Sequence, residues 1–143
     1  MPQNRTAFVT GATEGIGRAI AFALGREGWR VGFCARTADK VESLEHELDA
    51  AGIDAGWAAR SKARTNAAGV TADVGVEADV RAAVAHVTTR LGTIDTLVNN
   101  AGVLIAKPFL ELSLEEWDRT MATNLRSMFL VTREVLPGMR DQR

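Results

Sequence analysis

No tyrosine occurs among the 143 residues, and there is a single cysteine. Cys34 alone forms no intrachain disulfide, so the expected compartment is a reducing one, the cytoplasm. Neither sign of charge is in excess: the formal net charge is −1, which gives no electrostatic ground for nucleic acid or anionic membrane as a partner. No apolar run approaches the ~20 residues of a membrane span. The polar start Met1-Pro-Gln-Asn-Arg5 leads straight into an apolar stretch, so no signal peptide is expected. No cluster of His, Cys and carboxylates has metal-ligand spacing, and no repeat, low-complexity tract or linker divides the chain. What remains is 46% hydrophobic and 24% charged, ordinary for a soluble globular protein in a length that suits one domain with a real core.

The informative stretch is Thr10-Gly-Ala-Thr-Glu-Gly-Ile-Gly17. Before it, Ala7-Phe8-Val9 reads as a buried strand. After it, Ile16, Ile20, Ala23 and Leu24 recur at helical spacing, and Gly28 follows as a helix stop. Strand, glycine loop and helix start thus share one short span. Gly11 permits a tight turn, Gly15 lets backbone approach a ligand, and Gly17 lets the helix pack close to the strand. The helix N-terminus aims unpaired N–H groups and the positive end of its dipole over the loop, a setting that suits a phosphate. The spacing is G-x-x-x-G-x-G rather than the commoner G-x-G-x-x-G of dinucleotide sites.

Downstream, Val31–Ala35 is a second apolar run ending at Arg36, and 38–50 is helical through Val41, Leu44 and Leu48. Strand, helix and strand in this order make a right-handed parallel βαβ unit. From Gly52 to Asn66 no period is sustained. This segment carries Trp57, Arg60, Lys62 and Arg64 and is expected to be a solvated loop at the sheet end opposite the glycines. A third strand at 69–72 precedes Asp73-Val74. A helix over 77–91 follows, through Val80, Ala83, Val84, Val87 and Leu91, then a fourth strand at 94–98 and Asn99-Asn-Ala-Gly102. Ser113-Leu-Glu-Glu116 is a capping-box signal that opens a long helical region through Leu125, Phe129 and Leu136 to about Met139. The alternation of β and α predicts an open parallel sheet with helices on both faces. His46 and His86 read as surface residues, Cys34 as a small core residue, and Trp117 as a packing residue.

Four of these motifs together resemble the short-chain dehydrogenase/reductase family: the glycine loop, Asp73-Val74, Asn99-Asn100-Ala101-Gly102, and Asn124 in the long helix. The resemblance implies a Rossmann-like doubly wound α/β sheet, here with about four strands. It also implies an oxidoreductase that transfers hydride between a nicotinamide and a carbonyl or alcohol substrate. By this likeness Gly11, Thr13, Glu14, Gly15, Ile16 and Gly17 contact the pyrophosphate. Asp73 and Val74 approach the adenine, and Asn99, Ala101 and Gly102 the ribose side. Asn124 is an accessory member of the family's Asn-Ser-Tyr-Lys set. Cofactor choice follows from charge. A carboxylate at the end of the second strand would bond a ribose 2′-hydroxyl, but Ala35-Arg36 stands there, and an arginine pairs with a 2′-phosphate. NADP(H) is therefore favoured over NAD(H), although Glu14 occupies a place that is basic in many NADP-preferring relatives.

The likeness covers nearly the whole chain but only about the first half of the family's domain, so residues 1–143 are expected to be a single dinucleotide-binding domain, incomplete relative to the family. The family's serine and Tyr-x-x-x-Lys are missing, and Lys107, with no tyrosine partner, does not replace them. The chain alone is expected to be catalytically incompetent. The alternatives are a non-catalytic nucleotide-binding or oligomerisation module, or one half of a split enzyme completed by another chain. An open edge on the fourth strand and an apolar helix face at 115–139 favour association, and the resemblance to a family in which this helix commonly packs against its counterpart implies a homo-oligomer.

Overall fold

The computed structural model describes residues 5–54 and 66–142, and Trp57, Arg60, Lys62 and Arg64 lie outside them. The elements run β1 (Thr6–Thr10), α1 (Gly15–Arg26), β2 (Arg30–Ala35), α2 (Ala38–Asp54), β3 (Ala67–Thr71), α3 (Glu77–Leu91) and β4 (Thr96–Val98). After β4 come a 3₁₀ turn (Phe109–Glu111), α4 (Leu114–Met121), a π-helical turn (Ala122–Arg126) and α5 (Ser127–Asp141). Helix α2 therefore reaches three residues into what the sequence pattern reads as loop, and β3 begins at Ala67, ahead of the expected Gly69.

All strands are parallel in the order β3-β2-β1-β4. Because side chains alternate across a strand, each strand feeds two cores. Phe8, Cys34 and Ala68 meet Val84 and Val87 of α3 and Val131 of α5 on one face. Val9, Val31, Phe33 and Ala67 meet Leu44 and Leu48 of α2 on the other. Burial on both faces is why β1 and β2 read as continuous apolar runs rather than alternating ones.

Parallel strands bring all their C-terminal ends to one edge. The chain steps from β1 to β2 to β3 in one direction and then crosses back to place β4 on the far side of β1. The carboxyl ends of β1 and β4 thus flank the point where the strand order reverses, which is where open α/β sheets bind ligands. Among the described residues β4 pairs only with β1 and is an edge strand.

The long helical region of the sequence reading is present but is not uniform. Its capping box forms as expected: the Glu116 N–H donates to Ser113 Oγ at 3.1 Å, and the Ser113 N–H to Glu116 Oε2 at 3.0 Å. The π turn then interrupts the α pattern at the residues flanking Asn124. Around it Leu125, Phe129 and Leu136 are 59%, 60% and 53% exposed, so the apolar face expected at 115–139 is open in this chain. No helix among the described residues is long and apolar enough to cross a membrane.

Candidate functional site

The site is assembled on the first turn after β1. The backbone turns at Gly11 with φ of 64° and again at Gly15 with φ of 54°, both in the left-handed region where a Cβ is costly. The Gly11 N–H donates to Cys34 O at 2.9 Å, fastening the turn to β2. At Gly15 a Cβ would meet nothing within 4 Å, so this backbone faces open space, as an approaching ligand requires. Gly17 is different. A Cβ there would fall 2.5 Å from Gly11 O and 2.3 Å from Asn100 Nδ2, so the absence of a side chain sets how closely α1 sits on the loop.

No side chain caps the start of α1, and its first turn holds no acid. The N–H groups at this end remain directed at the cleft with the positive end of the helix dipole, the arrangement that binds phosphate.

The loop after β4 is latched to the same turn. Thr10 Oγ1 accepts N–H bonds from Asn100 and Ala101, both at 3.0 Å, while Asn100 Nδ2 donates to Thr10 O at 2.9 Å and Gly11 O at 3.0 Å. The two neighbouring asparagines leave the strand on opposite sides. Asn100 lines the cleft. Asn99, the one named from the sequence, instead donates to Thr132 Oγ1 of α5 at 3.3 Å, away from it. Gly17 likewise stands behind the cleft rather than in its wall. Gly11, Thr13, Glu14, Gly15, Ile16, Arg36, Asp73, Val74, Ala101 and Gly102 all line one cleft of about 510 Å³, a volume suited to a small-molecule or cofactor site.

Arg36 follows the last residue of β2 on this cleft, exposed and without an ion pair among the described residues. Glu14 pairs with Lys40 of α2, a cleft residue that the sequence reading did not name. The bond from Lys40 holds the Glu14 carboxyl below the usual carboxylate range. Asp73 Oδ1 accepts the Gly75 N–H at 2.8 Å, and Asp79 Oδ2 accepts the Asp73 N–H at 2.9 Å, which shapes this loop of the cleft. The Cys34 thiol is pushed up to about 12 by burial, so it is a core group and not a nucleophile.

The π turn ties two cleft loops together. Asn124 Oδ1 accepts the Val103 N–H at 2.7 Å and its Nδ2 donates to Val103 O at 2.8 Å, while Arg126 Nη2 donates to Gly75 O at 2.7 Å. The Asn124 side chain is thus a two-bond tether on the backbone beside Gly102. Asn124→Leu is expected to lower stability by only about 1 kcal/mol, because these bonds are exposed. Exchange of the Val103 amide should accelerate about tenfold. An unchanged Val103 exchange rate would refute the tether. Lys107 is held by Glu116, outside the cleft.

A parallel sheet with flanking helices and a glycine turn at a helix N-terminus, beside the point where strand order reverses, defines a Rossmann-like α/β protein. The short chain dehydrogenase family model matches residues 5–143, and the chain belongs to that family. It is 33% identical over 141 residues to the 3-oxoacyl-[acyl-carrier-protein] reductase FabG of Staphylococcus epidermidis, covering 98% of this chain and 53% of that one. Among solved structures, L-sorbose reductase from Gluconobacter frateurii, complexed with NADPH and L-sorbose, superposes with a TM-score of 0.85 at 28% identity. The match covers 98% of this chain and 49% of that one. A variant of actinorhodin polyketide ketoreductase with NADPH gives 0.83 at 39% identity, covering 97% and 49%. The chain spans about half the length of the relatives it matches.

Proposed function

We propose that this chain is the NADP(H)-binding part of a short-chain oxidoreductase acting on a carbonyl or alcohol substrate, with residues 1–143 forming a single dinucleotide-binding domain. The observation that carries the reading is Arg36. It lies on the cleft that holds the glycine loop, just past β2, where a carboxylate would otherwise bond a ribose 2′-hydroxyl and repel a 2′-phosphate. The N–H groups at the start of α1 would hold the pyrophosphate, the Asp73-Val74 loop the adenine, and Ala101-Gly102 the ribose side. Relatives complexed with NADPH, and their names as reductases of carbonyl compounds, support both the cofactor and the substrate class.

When bound, the nicotinamide supplies or takes the hydride, and the reaction then needs a proton at the substrate oxygen. The chain contains no tyrosine, so the family's proton donor is not among its residues. Removal of a general acid lowers rates by ~10²–10⁴, and this chain alone is expected to give no carbonyl-dependent NADPH oxidation above background. The exposed Leu125, Phe129 and Leu136, and the open edge of β4, suit contact with a second chain. That surface supports either a homo-oligomer or completion of the catalytic set by another polypeptide.

The test is titration of the chain with NADPH and NADH by calorimetry. NADPH should bind at least about tenfold more tightly, since a charge-assisted bidentate contact is lost with the 2′-phosphate. Arg36→Ala should reduce that preference while leaving NADH binding nearly unchanged. Equal binding of the two by the unaltered chain would overturn the NADP(H) assignment.

A further inference from the structure

Glu14 is at odds with a 2′-phosphate, because its carboxylate lies in the glycine loop on the cleft that Arg36 lines. Its partner Lys40 belongs to the first turn of α2 and lines the same cleft, so the ion pair joins one helix start to the other. Both side chains are largely in solvent, 53% exposed for Lys40 and 69% for Glu14. Exposed pairs of this kind are weak and exchange partners readily. A 2′-hydroxyl offers Lys40 only a neutral acceptor in place of the Glu14 carboxylate. A 2′-phosphate carries close to two negative charges at neutral pH, more than a carboxylate, and a lysine ammonium binds it as a point charge.

We propose that Lys40 is a second cation for the cofactor's 2′-phosphate, masked by Glu14 in the free chain and released to the phosphate when NADP(H) binds. This rests on the reading of Arg36 above and adds a specificity-determining pair to it. Arg36 makes the 2′-phosphate contact that is available without rearrangement, and the Glu14–Lys40 pair sets how strongly the site discriminates. Glu14 lowers the preference for NADP(H) by holding Lys40 back. On this account its presence in the loop is compensated from α2 rather than being an argument for NAD(H).

The experiment compares two small probes, 5′-AMP and adenosine 2′,5′-bisphosphate, by calorimetry on the unaltered 143-residue chain and on Arg36→Ala, Lys40→Gln, Glu14→Gln and the Lys40→Gln/Glu14→Gln double variant. The readout is the ratio of the two affinities, so a general loosening of the loop, which weakens both probes alike, does not enter it. Lys40→Gln should reduce the ratio about tenfold and Glu14→Gln should raise it about threefold, within the range of single charge-assisted phosphate contacts. In the double variant the gain from Glu14→Gln should largely disappear, because there is no lysine left to release. If Arg36→Ala lowers the ratio but Lys40→Gln and Glu14→Gln do not, the proposal is wrong and the Arg36 reading stands. If the gain from Glu14→Gln persists undiminished without Lys40, Glu14 acts by direct repulsion and the masking is refuted. If the unaltered chain does not favour the bisphosphate at all, both fall together.

Discussion

Gly17→Ala is expected to destabilise the chain by about 2–3 kcal/mol and to weaken NADPH binding more than about tenfold. Two effects of opposite sign compete. Replacing glycine by alanine within a helix is worth ~1 kcal/mol in favour of the variant. Against it, the new Cβ would lie 2.5 Å from Gly11 O and 2.3 Å from Asn100 Nδ2. Overpacking of this kind costs ~1–3 kcal/mol, and the neighbours have little room to yield. Gly11 O belongs to a turn bonded to Cys34, and Asn100 Nδ2 is the donor to both Thr10 O and Gly11 O. Moving the amide aside gives up bonds worth ~1 kcal/mol each. The clash therefore wins. Either α1 tilts away from β1 or Asn100 loses its acceptors, and in both cases the N–H groups at the helix start leave the place where a pyrophosphate would lie. A urea melt and an NADPH titration on the same sample check this, and a variant that melts at or above the unaltered chain would show that the loop is looser than this geometry.

Thr10→Val should cost about 3 kcal/mol, whereas Thr10→Ser should stay close to the unaltered chain. Thr10 is 2% exposed, and its hydroxyl accepts the N–H groups of Asn100 and Ala101 at 3.0 Å each. Valine has the same shape but no acceptor, so two backbone donors lose their partner, at ~1–3 kcal/mol for each one left unsatisfied. Against the 5–15 kcal/mol that holds a typical domain together, this is a large fraction. The bonds join the ends of β1 and β4 at the point where strand order reverses, so the same change should weaken cofactor binding. Thermal unfolding of the three proteins gives the answer directly. A valine variant that melts with the serine one would mean that water replaces the hydroxyl and that the latch carries no stability.

Much of this was readable in one dimension because it depends on local chemistry. The turn after β1 needs residues that tolerate positive φ, and Gly11 and Gly15 supply them. The capping box at Ser113 and Glu116 depends on residues three apart and formed as its spacing implied. The apolar periods located the strands and α-helices of the described residues, apart from a few boundary residues, the short 3₁₀ turn and the π turn that divides the long helical region into α4 and α5. Arg36 could be named from the sequence because it follows β2 at the carboxyl edge of the sheet, where open α/β sheets bind ligands.

Other features had no local signal. That Asn100 and not Asn99 faces the glycine loop depends on how β4 registers against β1, Phe8 beside Leu97 and Val9 beside Val98. Nothing in the order Ala-Thr-Asn-Leu-Arg announces a π turn. The distortion coincides with Asn124 tethering Val103 and Arg126 reaching Gly75, contacts 21 and 51 residues distant in the chain. Lys40 reads as an ordinary solvated helix residue until α2 is laid beside α1 and it meets Glu14, 26 residues earlier. Backbone conformation and the period of apolar residues are set by neighbours along the chain, and these identified the fold, the glycine turn and the charge at the end of β2. Which side chains meet across the cleft is set by the packing of separate helices and strands on one sheet, and only that packing brought Lys40, Asn100 and the π turn to the site.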